Sequence, residues 1–436
     1  MANLRIRRLR EALALGCAAV LVACGPGDNG ACDVGGAPEA CVPLGVDAGS
    51  ASGRWTRVAP LGEDHLAVVT AAGVPGAVRV LIYGPRGEVR GDVALLPPVL
   101  TGGPPRRSPQ VWPAIATIGD IIHVVWHDLA GGRLLHAEGR VDGEALVDVA
   151  LGPLTLAFGP PSTVDGGPGA PAGSHAALAI AADGQLHLAY RHDTNRSLGY
   201  ATRPAAAPGE AAPAWRREQI PACAGISECV KEAEDYGTFP ALVLVPGGDG
   251  AAEPRIAFRD EARGDLRLAA RGASGVWAVT TLDGTDPVTG ADTGDVGAFA
   301  SLAVTPARSL ALVYHDATAG TLRALTPGDA PRVLDDGLWE TADGRQLRRT
   351  VGQFARLAVT PDGVWHVVHL EADGPRWRYL TLAGERVTVS ADLDGLPPGG
   401  WLDLTPRGDG LAGAYGAFKE AGSLMTALRW FEVRAR

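Results

Sequence analysis

The sequence predicts an all-β fold, a β-propeller of four-stranded blades, and three observations point there. A unit of short apolar strands recurs at fixed offsets, turn residues are dense, and no stretch of the body carries a helical apolar period. Of 436 residues, Gly contributes 59 and Pro 33, while 46% are hydrophobic and 20% charged. Such a chain is rich in turns yet apolar enough to build a core, which excludes disorder and long helical bundles. Lys and Arg number 39 against 49 Asp and Glu, a formal charge of −10, so the basic footprint of a nucleic-acid binder is missing.

Residues 1–23 read as an export signal. Arg5, Arg7, Arg8 and Arg10 precede an apolar run from Ala12 to Ala23 that is too short to span a bilayer. The run ends in Leu21-Val22-Ala23-Cys24-Gly25, which resembles the lipobox of bacterial lipoproteins. The resemblance implies cleavage before Cys24 and acylation of its thiol. At about 0.8 kcal/mol per buried CH₂, more than one acyl chain would hold the protein on a lipid bilayer. Gly25 stands where enterobacterial lipoproteins retained at the inner membrane carry aspartate, which favours the outer membrane. Removing the signal leaves 35 basic and 48 acidic residues, a charge of −13. Four cysteines then remain for an oxidising compartment, and their closeness in sequence predicts disulfides Cys32–Cys41 and Cys223–Cys229. Residues 24–53 lack an apolar period and read as a tether, leaving 54–436 as the propeller.

The clearest repeat covers residues 299–335. Strand A runs from Phe299 to Val304, strand B from Leu310 to Asp316, strand C passes through Leu322, and Arg332–Leu334 supplies strand D. An aromatic in strand B is followed eight residues later by a strand C residue at Trp126 and Leu134, Tyr190 and Leu198, Phe258 and Leu266, Tyr314 and Leu322, with His369 and Trp377 as a variant. Strand B is apolar on both sides: Leu310, Leu312 and Tyr314 alternate with Ala311 and Val313. A strand covered on both faces belongs in a sheet sandwiched between two others, the environment that radially arranged blades provide. With Tyr415 and a weak first unit around Val80–Tyr83, the markers give seven blades, six and eight being the alternatives. The last unit lacks an outer strand, and Arg54–Val58 is expected to pair there and close the ring.

These units resemble the repeats of bacterial sialidase-like and BNR-type propellers over residues 54–436, through Ser301-Leu-Ala-Val304 and Leu310-Ala-Leu-Val-Tyr-His-Asp316. The resemblance implies architecture. The Asp-box of sialidases is absent, and their arginine cluster and tyrosine nucleophile have no matching positions, so sialidase activity is not implied.

Antiparallel topology puts the B-to-C turns and the D-to-A crossovers at one edge of every sheet, and therefore on one face of the ring. Two candidate sets share that face. Asp128, Asp193 with its neighbour His192, Asp260, Asp316 and Glu371 end strand B; they suit turn caps or, alternatively, an acidic ring for cations or sugar hydroxyls. Trp112, His175, Phe239, Phe299, Phe354 and Trp401 each precede a strand A aliphatic by three residues and suit packing between blades or stacking on sugars. His123, His187 and His366 share one position in strand B, in different blades, so they cannot form one metal site. Asp283, Asp286, Asp292 and Asp295 form an acidic crossover that could take Ca²⁺ but lacks EF-hand spacing and reads as a solvated turn. No other cofactor or metal is indicated. Gly408-Asp-Gly410-Leu-Ala-Gly413 has no following helix and is no dinucleotide site.

The expected function is binding of a carbohydrate, peptide or protein ligand on that face by an exported, lipid-anchored protein. The alternatives are a glycoside hydrolase or polysaccharide lyase, whose paired carboxylates can come from different blades, and a scaffold of an envelope assembly.

Overall fold

The computed structural model describes residues 55–433 except 73–75, 86, 99–110, 143–145, 147–152, 207–209, 223–234, 249, 287, 341–342, 374–375, 393–397, 408–409 and 419–425. The signal segment, the tether, Cys24 and both expected disulfides, Cys32–Cys41 and Cys223–Cys229, lie outside the described residues.

Every described element is a β-strand, and the sheets follow one another along the chain as antiparallel meanders. Sheet I holds β1 (Arg57–Leu61), β2 (His65–Ala71), β3 (Val78–Tyr83) and β4 (Val89–Leu95). Sheet II holds β5 (Ala114–Ile118), β6 (Ile121–Asp128), β7 (Arg133–Val141) and a broken outer strand, β8 (Leu156–Phe158) and β9 (Ser162–Gly166), both paired to β7. Sheets III and IV are β10 (Ser174–Ile180) to β13 (Arg216–Ile220), through β11 (Leu186–His192) and β12 (Ser197–Arg203), and β14 (Tyr236–Pro246) to β17 (Trp277–Asp283), through β15 (Ala252–Asp260) and β16 (Asp265–Arg271). Sheet V runs β18 (Val296–Val304), β19 (Leu310–Asp316), β20 (Thr321–Leu325) and β21 (Arg332–Asp335). A hairpin of β22 (Leu338–Glu340) and β23 (Gln346–Arg348) fills the next crossover. Sheet VI has β24 (Gln353–Val359), β25 (Trp365–Glu371), β26 (Arg376–Ala383) and β27 (Arg386–Asp392), and sheet VII has β28 (Pro398–Arg407), β29 (Gly410–Phe418) and β30 (Thr426–Val433).

The two-sided apolar pattern of the second strands has the expected consequence. On β19, Leu310, Leu312 and Tyr314 belong to the cluster shared with sheet IV, whereas Ala311 and Val313 belong to the one shared with sheet VI. Seven such clusters each join two neighbouring sheets, and one of them carries Val58, Leu66 and Val68 of sheet I against Ala412 and Ala414 of sheet VII. The first strands touch in the same succession, including β1 against β28.

Two sequence expectations are corrected. The segment from Arg54 to Val58 does not complete the last sheet: β1 pairs with β2, and sheet VII has three strands among the described residues. The strand at Val78–Tyr83 is the third of its sheet, because the second, His65–Ala71, is fully buried but lacks the aromatic used as a marker.

Side chains at one register of the first strands also bridge sheets. Ser301 Oγ accepts the Leu357 N–H at 3.0 Å, linking sheets V and VI. Asp403 Oδ2 accepts the Val58 N–H at 3.0 Å, linking sheets VII and I. Both acceptors stand two residues after an aromatic of the expected set. Ser301→Ala leaves the Leu357 N–H without its partner, and a loss of about 1–3 kcal/mol is expected in urea unfolding at an unchanged m-value.

Candidate functional site

The aromatics expected near the axis do meet there, and a seventh, Trp55, joins them. Ring centroids are 3.7 Å apart for Trp55 and Trp112 and for Trp112 and His175, 4.7 Å for His175 and Phe239 and for Phe239 and Phe299, and 4.4 Å for Phe299 and Phe354. Trp401 closes the cycle at 5.5 Å from Phe354 and 4.2 Å from Trp55. Each packs on the next around the axis.

Local backbone explains how they reach it. Trp55, Trp112, His175, Phe239, Phe299 and Phe354 all have φ between 39° and 57°, the left-handed region that bulky residues avoid. In sheets III to VI the residue sits inside a register shift of the first strand, for instance between Ala298 and Ser301, so a bulge turns the side chain inward. Two residues earlier stands a glycine that approaches the third strand of the preceding sheet. A Cβ on Gly237 would lie 2.8 Å from Leu198 Cα, and one on Gly297 would lie 3.0 Å from Leu266 Cα. Gly-x-aromatic is therefore the sequence signal of six of the seven ring members, Trp112 following Gln110 instead. Gly53-Arg54-Trp55 carries it, which is how Trp55 could have been placed with the others.

The carboxylates at the strand-to-strand turns are engaged within their own sheets. Oδ1 of Asp128, Asp260 and Asp316 accepts the N–H of Gly131 at 3.2 Å, Ala262 at 3.1 Å and Ala319 at 2.8 Å. Their other oxygens meet Arg133 at 2.6 Å, Arg267 at 3.1 Å and Arg323 at 2.5 Å, each from the third strand. Glu371 is fully buried between Arg376, at 3.0 Å, and Arg349. Arg376 and Arg349 in turn lie 4.1 and 5.1 Å from the ring of Trp339 in the inserted hairpin. Asp193 instead accepts from the Ser174 N–H and hydroxyl, and His192 Nδ1 accepts the Asn195 N–H at 3.3 Å. The structure gives most of these groups the chemistry of turn caps and keeps them in separate sheets.

The residues of the acidic crossover are also separately employed. Asp283 accepts from the Tyr314 hydroxyl and Arg323, Asp286 and Asp292 cap backbone N–H groups, and Asp295 pairs with Arg259 at 2.7 Å. Among the described residues no three His, Cys, Asp or Glu side chains are grouped to hold a metal ion.

Beside the aromatic ring, on the same face, a depression of about 600 Å³ opens between sheets II, III and IV. Trp112 and His175 form its axial wall, and His127, Ser174, Arg191, Asp193, Asp235, Thr238 and Glu261 line the rest. Its polar groups are held in place. Arg191 donates to Asp235 Oδ1 at 2.7 Å and lies 3.9 Å from Asp193, while the Thr238 hydroxyl donates to Glu261 at 2.5 Å and Arg259 meets Glu261 at 3.2 Å. His127, Arg191 and Arg259 each follow a second-strand marker by one residue, a register that sequence inspection did not single out.

His127 differs from its neighbours. It is 3% exposed, and neither ring nitrogen has a hydrogen-bond partner. Burial lowers its affinity for a proton, against the opposing pull of Asp193 and Asp128, so the imidazole is a neutral, unsatisfied group in the wall of the depression. His175 is pushed down to about 3 by burial, with help from Arg191, Arg57 and His127, and is neutral as well.

No protein-family model matches the chain, and no curated protein matches it in sequence. Among solved structures it is similar to the polysaccharide lyase Uly1, at 11% identity and a TM-score of 0.52, covering 89% of this chain and 90% of that one. It is also similar, at 12% identity and a TM-score of 0.41, to the fucose-recognising lectin of the fungus Aleuria aurantia, a six-bladed β-propeller, covering 79% of this chain and 96% of that one. At such identities the likeness concerns the fold alone, and with its succession of antiparallel sheets this chain has a fold of the β-propeller kind.

Proposed function

We propose that the chain is an exported lipoprotein, anchored through acylated Cys24 to the outer membrane, whose seven blades form a closed wheel and bind a carbohydrate, peptide or protein ligand in the depression between sheets II, III and IV. The observation that carries this reading is the joining of an aromatic wall, Trp112 and His175, to fixed charges at Arg191, Asp193 and Asp235 in one open recess. Ligand sites combine a few oriented polar groups with apolar surface in this way, and pre-ordered side chains lose little freedom on binding. The seven aromatics in cyclic contact and the apolar cluster joining sheets VII and I support the closed wheel.

A glycan array and a peptide display screen with the purified protein test the site. The expected result is a ligand class bound by the wild type and weakened at least tenfold by Arg191→Ala, which leaves Asp235 with Arg196 alone at 3.7 Å, with the fold retained. Retention by both proteins alike would place the ligand elsewhere.

A second reading, a lyase or hydrolase of polysaccharides, is favoured by His127, a neutral imidazole in the wall of the recess with both ring nitrogens unpaired. Turnover of a bound polysaccharide, lost in His127→Gln with binding kept, supports it; binding with no product leaves the binding reading. Mass spectrometry of the mature N-terminus tests the anchor, an acylated Cys24 being expected.

A further inference from the structure

Beneath the aromatic cycle, the first strands line the axis with a repeated position two residues after each ring member. Four sheets place small residues there, Ala114, Ala177, Ala241 and Ser301; the other three place Arg57, Arg356 and Asp403. Two guanidinium groups and one carboxylate thus converge from sheets I, VI and VII. Arg356 Nε lies 3.2 Å from Asp403 Oδ1, with side chains 14% and 15% exposed. The Arg57 guanidinium donates to the Thr56 carbonyl at 3.4 Å and that of Arg356 to the Ala355 carbonyl at 2.7 Å. One carboxylate neutralises one guanidinium, so one positive charge is in excess.

Both arginines line a cavity of about 40 Å³ walled by the seven ring aromatics, Ala176, Pro240 and Ala300, with no carboxylate among its lining residues. The remaining titratable group there, His175, is neutral. An uncompensated charge removed from water is costly, and two like charges sharing one counter-charge add repulsion. Burial, with the repulsion of Arg57 added, pushes Arg356 down to about 9.

We propose that this axial cavity is a binding site for one small monovalent inorganic anion of the halide class, held between the Arg57 and Arg356 guanidinium groups beneath the aromatic cycle. Its volume admits one such ion, or a water or two, and excludes sugars, carboxylate-bearing polymers and other bulky anions. The ion completes the charge balance of three sheets at once, so it acts as a structural fastener at the junction of the last and first sheets, separate from the ligand recess.

The test is thermal unfolding of the purified protein at pH 7.5 and fixed ionic strength, in sodium gluconate with increasing chloride or bromide. The expected result is a saturable rise of the midpoint by a few degrees with either halide, as for any ligand of the native state. Arg57→Gln and Arg356→Gln, which restore neutrality with one remaining arginine, should each abolish the rise, and Asp403→Asn, which increases the excess charge, should enlarge it. A general salt effect would not change in opposite directions. Should the arginine variants fail to fold, chloride-35 line broadening by the wild-type protein, displaced by bromide, gives the answer independently. Equal midpoints in gluconate and chloride, a rise unaltered by the variants, or no displaceable broadening would overturn the proposal in favour of water in the cavity.

Discussion

Lowering the pH from 7 to 5 is expected to destabilise the folded chain by about 6 kcal/mol through three histidines alone, a large part of the stability of an ordinary domain. His123, His187 and His366 occupy one position of the second strand and are 5%, 3% and 6% exposed. Each faces a ring thirteen residues on, in the third strand: His123 Nδ1 is 3.2 Å from His136 Nε2, and Nδ1 of His187 and His366 lies 2.5 and 2.6 Å from the hydroxyls of Tyr200 and Tyr379. A tyrosine hydroxyl that donates to Nδ1 satisfies the neutral imidazole, and burial disfavours the charged one. Burial, joined by nearby arginines for His123, pushes all three down to about 4. The unfolded chain, at about 6.5 for histidine, therefore takes up protons first as the pH falls. The stabilisation is complete above about 6.5 and is lost progressively toward about 4, at roughly 2 kcal/mol per histidine by pH 5. His136 and His175 shift in the same direction and add to the effect. Urea midpoints measured from pH 7.5 to 4.5 should report more than three protons taken up on unfolding, these three histidines supplying close to one each, and the number should fall by about one in His366→Gln. A midpoint independent of pH across that range would show that these rings are not held neutral.

The fold was legible in the sequence to the extent that it repeats. Equal offsets such as Tyr190 to Leu198 and Tyr314 to Leu322 identified strands two and three, since a constant spacing between neighbouring antiparallel strands follows from a constant turn. Where the marker residue is absent the sequence misleads by one strand: in sheet I the second strand, His65–Ala71, is buried without an aromatic, and the marker pattern falls on Val80–Tyr83 of the third. Trp55 was misassigned for a related reason. In sequence it shares the glycine two residues before it with other ring members, and at Gly237 and Gly297 that glycine is required by close approach to the neighbouring sheet, a signal invisible in apolar periodicity. The three histidines were recognised as a repeat, but their partners are diagonal cross-strand rings, and diagonal contacts depend on twist and register. The ligand recess was least legible. It gathers His127, Arg191 and Glu261 from three sheets, and only the succession of sheets about the axis sets them side by side.

Asp403→Ala should cost about 3–5 kcal/mol, the range found when one partner of a buried ion pair is removed and the other charge is left behind. The side chain serves two distant parts of the chain at once. Oδ2 accepts the N–H of Val58, 345 residues away in sequence, and Oδ1 receives Arg356. Alanine leaves a backbone N–H unpaired and two guanidinium groups, those of Arg57 and Arg356, facing each other without a carboxylate. Because sheet VII is not completed by the N-terminal segment, this hydrogen bond acts with the apolar packing of Val58, Leu66 and Val68 on Ala412 and Ala414, the Trp55–Trp401 ring contact and the Arg407 bond to the Asp64 carbonyl to hold the last sheet to the first. Asp403→Asn separates the two roles, since the amide oxygen still accepts the Val58 N–H while the charge is gone; it should recover about 1 kcal/mol of the alanine loss. Combining Asp403→Asn with Arg356→Gln removes the repulsion as well, so the double variant should be more stable than the sum of its single effects predicts, by about 1–3 kcal/mol in a double-mutant cycle. Urea unfolding of the five proteins, the single Arg356→Gln included, decides the matter. An alanine variant within about 1 kcal/mol of the wild type would mean that the junction of the two sheets does not depend on Asp403, and a cycle with no coupling would mean that Arg356 is neutralised by some group other than Asp403.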